Sequence, residues 1–117
     1  MLTALLSDFR EAGHLSPQRI ASRLHLSVAD LSRITGVHRN TLAQRPASPA
    51  VQKSLEMVTR ILAGAEQIAG DGDRAVIWFR HQPLPGFSGQ TALDLVEAGH
   101  GNAVLTYLEE LRDGAYA

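Results

Sequence analysis

Cysteine is missing from all 117 residues. That excludes disulfides, thiolate metal sites and a cysteine nucleophile, and it fits a reducing interior. No basic start leads into an apolar run, and no stretch of about 18 apolar residues occurs. Neither a signal peptide nor a membrane span is expected, and the cytoplasm is the expected location. No strand is evident, and no glycine-rich phosphate loop follows one. What remains is a chain that is 44% hydrophobic, hence globular, and long enough for one modest core or two small helical units. The net charge of −1 hides an asymmetry. Residues 1–70 carry eight bases against five acids, a net of +3, and residues 71–117 carry three against seven, a net of −4. The two ends therefore suit different partners.

The most structured stretch runs from Leu26 to Arg45. Ser27 is placed to cap a helix whose third position is Asp30, and Leu26 stands outside it opposite Leu31, so a capping box and a hydrophobic staple coincide. Gly36 stops that helix in a left-handed turn. A second short helix starts near His38 and carries Arg39, Asn40, Thr41, Gln44 and Arg45. With Leu31, Val37 and Leu42 facing inward, the pattern predicts a helix-turn-helix whose second helix suits a DNA major groove. Arg39, Asn40 and Gln44 have the chemistry for base edges, while Thr41, Arg45 and Arg33 suit phosphates, and Ser27 at its helix start is a further phosphate donor. His38 joins this set as the residue that opens the second helix. Between Ser16 and Lys53 six bases face Asp30 alone, a net of +5 that attracts a polyanion. The alternative is a three-helix packing unit whose exposed helix is merely solvated.

Leu2, Leu5, Leu6 and Phe9 repeat at i, i+3, i+4 and i+7, predicting a first helix that ends at Gly13. Ser16-Pro17 reads as a cap followed by proline at the first helical position, with Leu15 stapled to Ile20. Arg45-Pro46-Ala47-Ser48-Pro49 is a hinge. A long helix follows, from about Pro49 to Ala69, with Val51, Leu55, Val58, Leu62 and Ala65 on one stripe and Met57, Ile61 and Ile68 widening it. It is read as the spine joining two domains, 1–47 and 48–117, with a dimer seam on its surface as the lesser alternative. Asp71 caps a short helix holding Ala75, Val76, Trp78 and Phe79. Pro83, Pro85, Gly86 and Gly89 then forbid regular structure. Thr91 opens a helix with Asp94 at its third position, inward-facing Leu93, Leu95 and Val96, and Gly99 as its stop. A last helix runs from about Asn102 to Arg112 and buries Val104, Leu105, Leu108 and Leu111. The expected fold class is all-α.

Catalytic constellations are thin. Glu97 and His100 match Glu-x-x-His, but Gly99 stands between them and no second pair occurs, so no metal site is expected. Gly86-Phe87-Ser88-Gly89-Gln90 falls one residue short of a nucleophile elbow and lacks the strand before it. His14, His25 and His81 read as surface or satisfied interior residues. The expectation is a protein that is not an enzyme, with neither metal nor cofactor.

The second half resembles the toxin-binding domain of the Xre/MbcA/ParS antitoxins. The resemblance rests on Trp78-Phe79, the run from Gln82 through Pro83, Leu84, Pro85, Gly86 and Phe87 to Thr91 and Val96, then Gly99-His100-Gly101, Val104, Tyr107-Leu108 and the tail Gly114-Ala115-Tyr116-Ala117. With the helix-turn-helix it covers nearly the whole chain. Phe87 and Ala92 depart from the residues usual there, as do Ser32 and Thr35 in the first half; none removes a glycine or a cap. The resemblance implies an antitoxin that occludes an NAD-consuming RES-domain toxin and represses its own operon by binding double-stranded operator DNA. It points to Trp78, Phe87, Thr91, Gly114, Ala115, Tyr116 and Ala117 as toxin-binding residues. A single short recognition helix makes few contacts, so a homo-oligomer or a toxin–antitoxin hetero-oligomer is expected. The alternative is a helix-turn-helix regulator or interaction module without a RES toxin.

Overall fold

The computed structural model describes residues 3–114, and almost all of its regular structure is helical. Leu2, placed in the first helix by its spacing, and the tail residues Ala115, Tyr116 and Ala117 lie outside the described residues. The chain divides into two compact units, Met1–Glu56 and Met57–Ala117.

The first unit opens with α1 (Ala4–Phe9), capped by the Thr3 side chain. The helix stops at Phe9 rather than Gly13. Arg10 is already extended, and β1 (Arg10–Glu11) pairs antiparallel with β2 (His14–Leu15) through a two-residue turn at Ala12 and Gly13, both with positive φ (50° and 82°). Gly13 thus serves a hairpin turn that demands left-handed residues rather than a helix stop. These short strands depart from the all-helical expectation. Gln52 holds the end of the hairpin. Leu15 N–H donates to its Oε1 at 2.8 Å, and its Nε2 donates to Leu15 O at 2.8 Å and Pro46 O at 2.7 Å.

Next come α2 (Pro17–Arg23), α3 (Val28–Thr35) and α4 (Arg39–Gln44). Ser16 accepts from Arg19 N with Pro17 in the first turn, and Ser27 and Asp30 form the expected capping box. Leu5, Phe9, Ile20, Leu24, Leu31 and Leu42 are buried and supply the core, joined by Val51 and Leu55 from the start of α5 (Pro49–Ala69). Helix α2 closes through His25, which sits at φ +58° while Leu26 N–H donates to Ala21 O at 2.8 Å and His25 N–H to Ser22 O at 3.1 Å. That is a Schellman arrangement with a histidine where glycine is favoured. His25→Gly is expected to raise stability by about 0.5–1 kcal/mol, because relief of the left-handed conformation outweighs glycine's added chain entropy. A lower urea midpoint for the variant would contradict it.

In the second unit the rest of α5 buries Val58, Ile61, Leu62 and Ala65, as its stripe implied. Ile68, expected to widen the stripe onto an adjacent face, is 44% exposed. Helix α6 (Gly72–His81) is capped by Asp71, whose Oδ1 accepts from Asp73 N at 2.7 Å and Arg74 N at 3.3 Å. Its Ala75, Val76 and Phe79 are buried and Trp78 is half-buried. Thr91 and Asp94 form the second capping box, at the start of α7 (Ala92–Glu97). That helix ends at Glu97, and Gly99 follows as its left-handed closing residue. Helix α8 (Gly101–Arg112) buries Val104 and Leu108, whereas Leu105 and Leu111 are half-buried. It starts one residue early, at a glycine whose added Cβ would stand 2.5 Å from Met57 Cγ, so the Met57 side chain on α5 fills the space that a larger residue would need.

Candidate nucleic-acid and partner-protein interfaces

Helices α3 and α4 meet across Gly36, Val37 and His38. Gly36 takes φ +74° and returns its N–H to Ser32 O. Ser32 Oγ donates to Val37 O at 2.6 Å, Thr35 Oγ1 donates to Leu31 O at 2.9 Å, and Val37 N–H donates to Thr35 Oγ1 at 3.3 Å. The two polar residues that depart from the usual pattern therefore tie the turn to α3. Their signal in the sequence was polarity late in a helix, where hydroxyls bond nearby backbone. His38 caps α4 through Nδ1, which accepts Asn40 N–H at 3.1 Å and leaves Nε2 as the donor on an exposed ring.

Around this turn Arg39, Asn40, Gln44 and Arg45 are exposed, Thr41 is half-buried, and Leu42 is 1% exposed beneath them. Ser27 and Arg33 are also at the surface, but both are engaged: Ser27 Oγ accepts from Asp30 N at 3.0 Å, and the Arg33 guanidinium bonds the Asp30 carboxylate. Arg19 faces Glu11 at 3.7 Å and Arg23 faces Asp8 at 3.6 Å, two carboxylates from outside the +5 segment. Among the described residues no carboxylate lies within ion-pair distance of Arg39, Arg45 or Lys53. The positive field is therefore concentrated on and just after α4.

Asp30 accepts the Ser27 backbone N–H, its hydroxyl is also bonded there, and Arg33 stands beside it; together these hold its carboxyl below the ordinary carboxylate value. A depressed pKa means the capping box contributes above the unfolded-state value and is lost as pH falls through the folded one. Ser27→Ala removes the hydroxyl but keeps the backbone N–H, the larger cause, so the Asp30 titration, followed by carboxyl carbon NMR, is expected to move only part of the way up toward the ordinary range. An unchanged titration would contradict the Ser27 hydroxyl as one of its causes.

In the second unit the expected toxin-binding residues occupy separate positions. Trp78 is half-buried on α6. The Thr91 hydroxyl is taken up as the cap of α7, 3.1 Å from Asp94 N. Gly114 closes α8 at φ +76° with its N–H on Leu111 O at 3.3 Å. Phe87 is half-buried and lines a groove with Pro85, Ala103, Thr106, Tyr107 and Glu110; Trp78, Thr91 and Gly114 are not among its walls. Tyr107 and Glu110 were not singled out from the sequence, although Ala103, Thr106, Tyr107 and Glu110 share helical spacing.

Glu97 ends α7 and His100 follows the left-handed Gly99, so the two share no helical face. No group of three or more potential metal ligands occurs among the described residues, and no helix there is long and apolar enough to cross a membrane. Ser88, at φ +55°, sits in the turn between Phe87 and Gln90 rather than between a strand and a helix.

The second unit is thus a small helical domain with cap-defined ends and a groove lined by Phe87 and Tyr107. Residues 64–114 match the family described as the antitoxin Xre/MbcA/ParS C-terminal toxin-binding domain, so this part of the chain is similar to that domain. No curated protein matches the chain.

Proposed function

We propose that the protein is the antitoxin of a type II pair, whose second unit occludes an NAD-consuming RES-domain toxin and whose α3–α4 pair is a helix-turn-helix that represses its own operon. The reading makes it a non-enzymatic cytoplasmic regulator that works as a homo-oligomer or in a toxin complex. The toxin-binding match at residues 64–114 carries the proposal. The exposed Arg39, Asn40, Gln44 and Arg45, with no carboxylate among the described residues paired to either arginine, support the DNA half. Trp78, Phe87, Thr91 and the tail Gly114 to Ala117 are proposed as toxin contacts; Ser27, Arg33, His38 and Thr41 are proposed as phosphate-side contacts.

Two measurements test it. Co-expression with the product of the neighbouring reading frame is expected to yield a stable complex in which the toxin no longer consumes NAD. A gel shift on the upstream DNA is expected to show binding, with Asn40→Ala costing about 1–3 kcal/mol mainly on the operator. Arg45→Ala should weaken every duplex and reduce the salt slope by about one unit. Equal losses for Asn40→Ala on operator and unrelated DNA would reject its base-reading role.

A further inference from the structure

Aromatic side chains are scarce here: one Trp, two Tyr and three Phe. Phe9 and Phe79 are fully buried. Phe87, from the α6–α7 loop, and Tyr107, from α8, converge instead on one groove of about 340 Å³, with Pro85, Ala103, Thr106 and Glu110. Ala103, Thr106, Tyr107 and Glu110 lie at i, i+3, i+4 and i+7, a face of α8 separate from the buried Gly101, Val104 and Leu108.

The loop that presents Phe87 is closed on itself. Pro83 bridges Thr91, Leu84 N–H donates to Gln90 O at 2.9 Å, and Gln90 N–H donates to Phe87 O at 3.0 Å. Leu84 anchors it at 3% exposure. An aromatic ring on a closed loop loses little freedom when it docks, and half-exposed aromatics are the residues that carry interface energy.

The groove also has a sign. Glu110 is exposed at its edge and makes no ion pair among the described residues. Residues 57–117 carry four bases against eight acids, a net of −4. A purely aliphatic occupant would strip water from that carboxylate and leave it unpaired. An arginine satisfies both features, because its planar guanidinium stacks on rings and pairs with a carboxylate.

We infer that this groove receives an arginine side chain of the toxin, its stem and guanidinium plane against Phe87 and Tyr107 and its charge on Glu110. The inference rests on the toxin-binding reading of the second unit. The full chain is co-expressed with the neighbouring gene product, and the affinity of the purified pair is measured at two salt concentrations. Phe87→Ala and Tyr107→Ala are each expected to weaken the complex by about 30-fold or more. Glu110→Gln should weaken it by about tenfold and reduce its salt sensitivity, with Glu110→Arg weaker still. Thr106→Trp fills the groove from an exposed helical position, so it should weaken binding while the melting curve stays unchanged. A photo-crosslinker at position 106 should capture a toxin peptide that contains arginine.

If the wild-type pair forms and these variants all stay within about twofold of it, the groove assignment fails while the toxin reading stands. Ring variants that weaken binding beside a neutral Glu110→Gln would replace the arginine with an apolar occupant and overturn the inference. So would variants that alter only the self-association of the free chain. Absence of any wild-type complex would remove both readings together.

Discussion

Phe79→Ala is expected to lower the unfolding free energy by about 3–5 kcal/mol, the loss usual for a fully buried phenylalanine when transfer and cavity costs combine. Phe79 has no exposed surface and lies on α6 beside the buried Ala75 and Val76. Small domains have only about 5–15 kcal/mol of stability, so about a fifth of it or more rides on one ring. The melting midpoint should fall by roughly 10–25 °C, and toxin neutralisation should fail at temperatures where the variant is substantially unfolded. Two residues away Ile77 is 60% exposed, and Ile77→Ala should change stability by less than about 0.5 kcal/mol. Thermal melts of the two variants side by side provide the check. Equal midpoints would mean that α6 is not packed through the face Phe79 occupies.

The contrast between Phe79 and Ile77 also shows what could be read in advance. Helix starts were legible because caps are local chemistry. Ser16-Pro17, Ser27 with Asp30, Asp71, and Thr91 with Asp94 all occupy the cap positions their spacing implied. Stops were harder, since a glycine at positive φ serves a hairpin turn as readily as a helix end. Gly36 and Gly99 close helices, whereas Gly13 closes the turn between β1 and β2. His25 does a glycine's work at the end of α2, which composition could not reveal.

Contacts between distant positions were invisible. Gln52 satisfies backbone groups of Leu15, 37 residues earlier, yet in sequence it is one more polar residue on a long helix. The candidate interfaces divide the same way. The exposed cations of α4 followed from a local pattern. The charge count overstated the field, because Glu11 and Asp8 reach Arg19 and Arg23 from outside the segment. Phe87 was indicated by family resemblance alone, and its neighbours Tyr107 and Glu110 emerged only when the loop closed beside α8.

Leu42→Ala is expected to cost about 2–5 kcal/mol and to abolish DNA binding without removing a single candidate contact. Helix α4 has six residues, far below the roughly 12–15 at which an isolated helix becomes even marginal in water. It persists because Leu42 is buried in the first unit's core, His38 caps its start, and Arg45 N–H returns to Thr41 O at 2.9 Å. Of these, only the buried leucine supplies energy on the scale of the helix's ordering cost. Removing it should free Arg39, Asn40, Gln44 and Arg45 from a common orientation, so operator and unrelated duplexes lose affinity together. Arg45→Ala, by contrast, should alter the salt slope and leave the melting curve in place. Leu42→Met keeps the apolar volume and should cost less than about 1.5 kcal/mol, with operator binding retained. Gel shifts on both duplexes, paired with amide exchange across Arg39 to Gln44, would register the difference. A Leu42→Ala protein that kept its melting midpoint and its operator affinity would show that α4 is held by something other than this side chain.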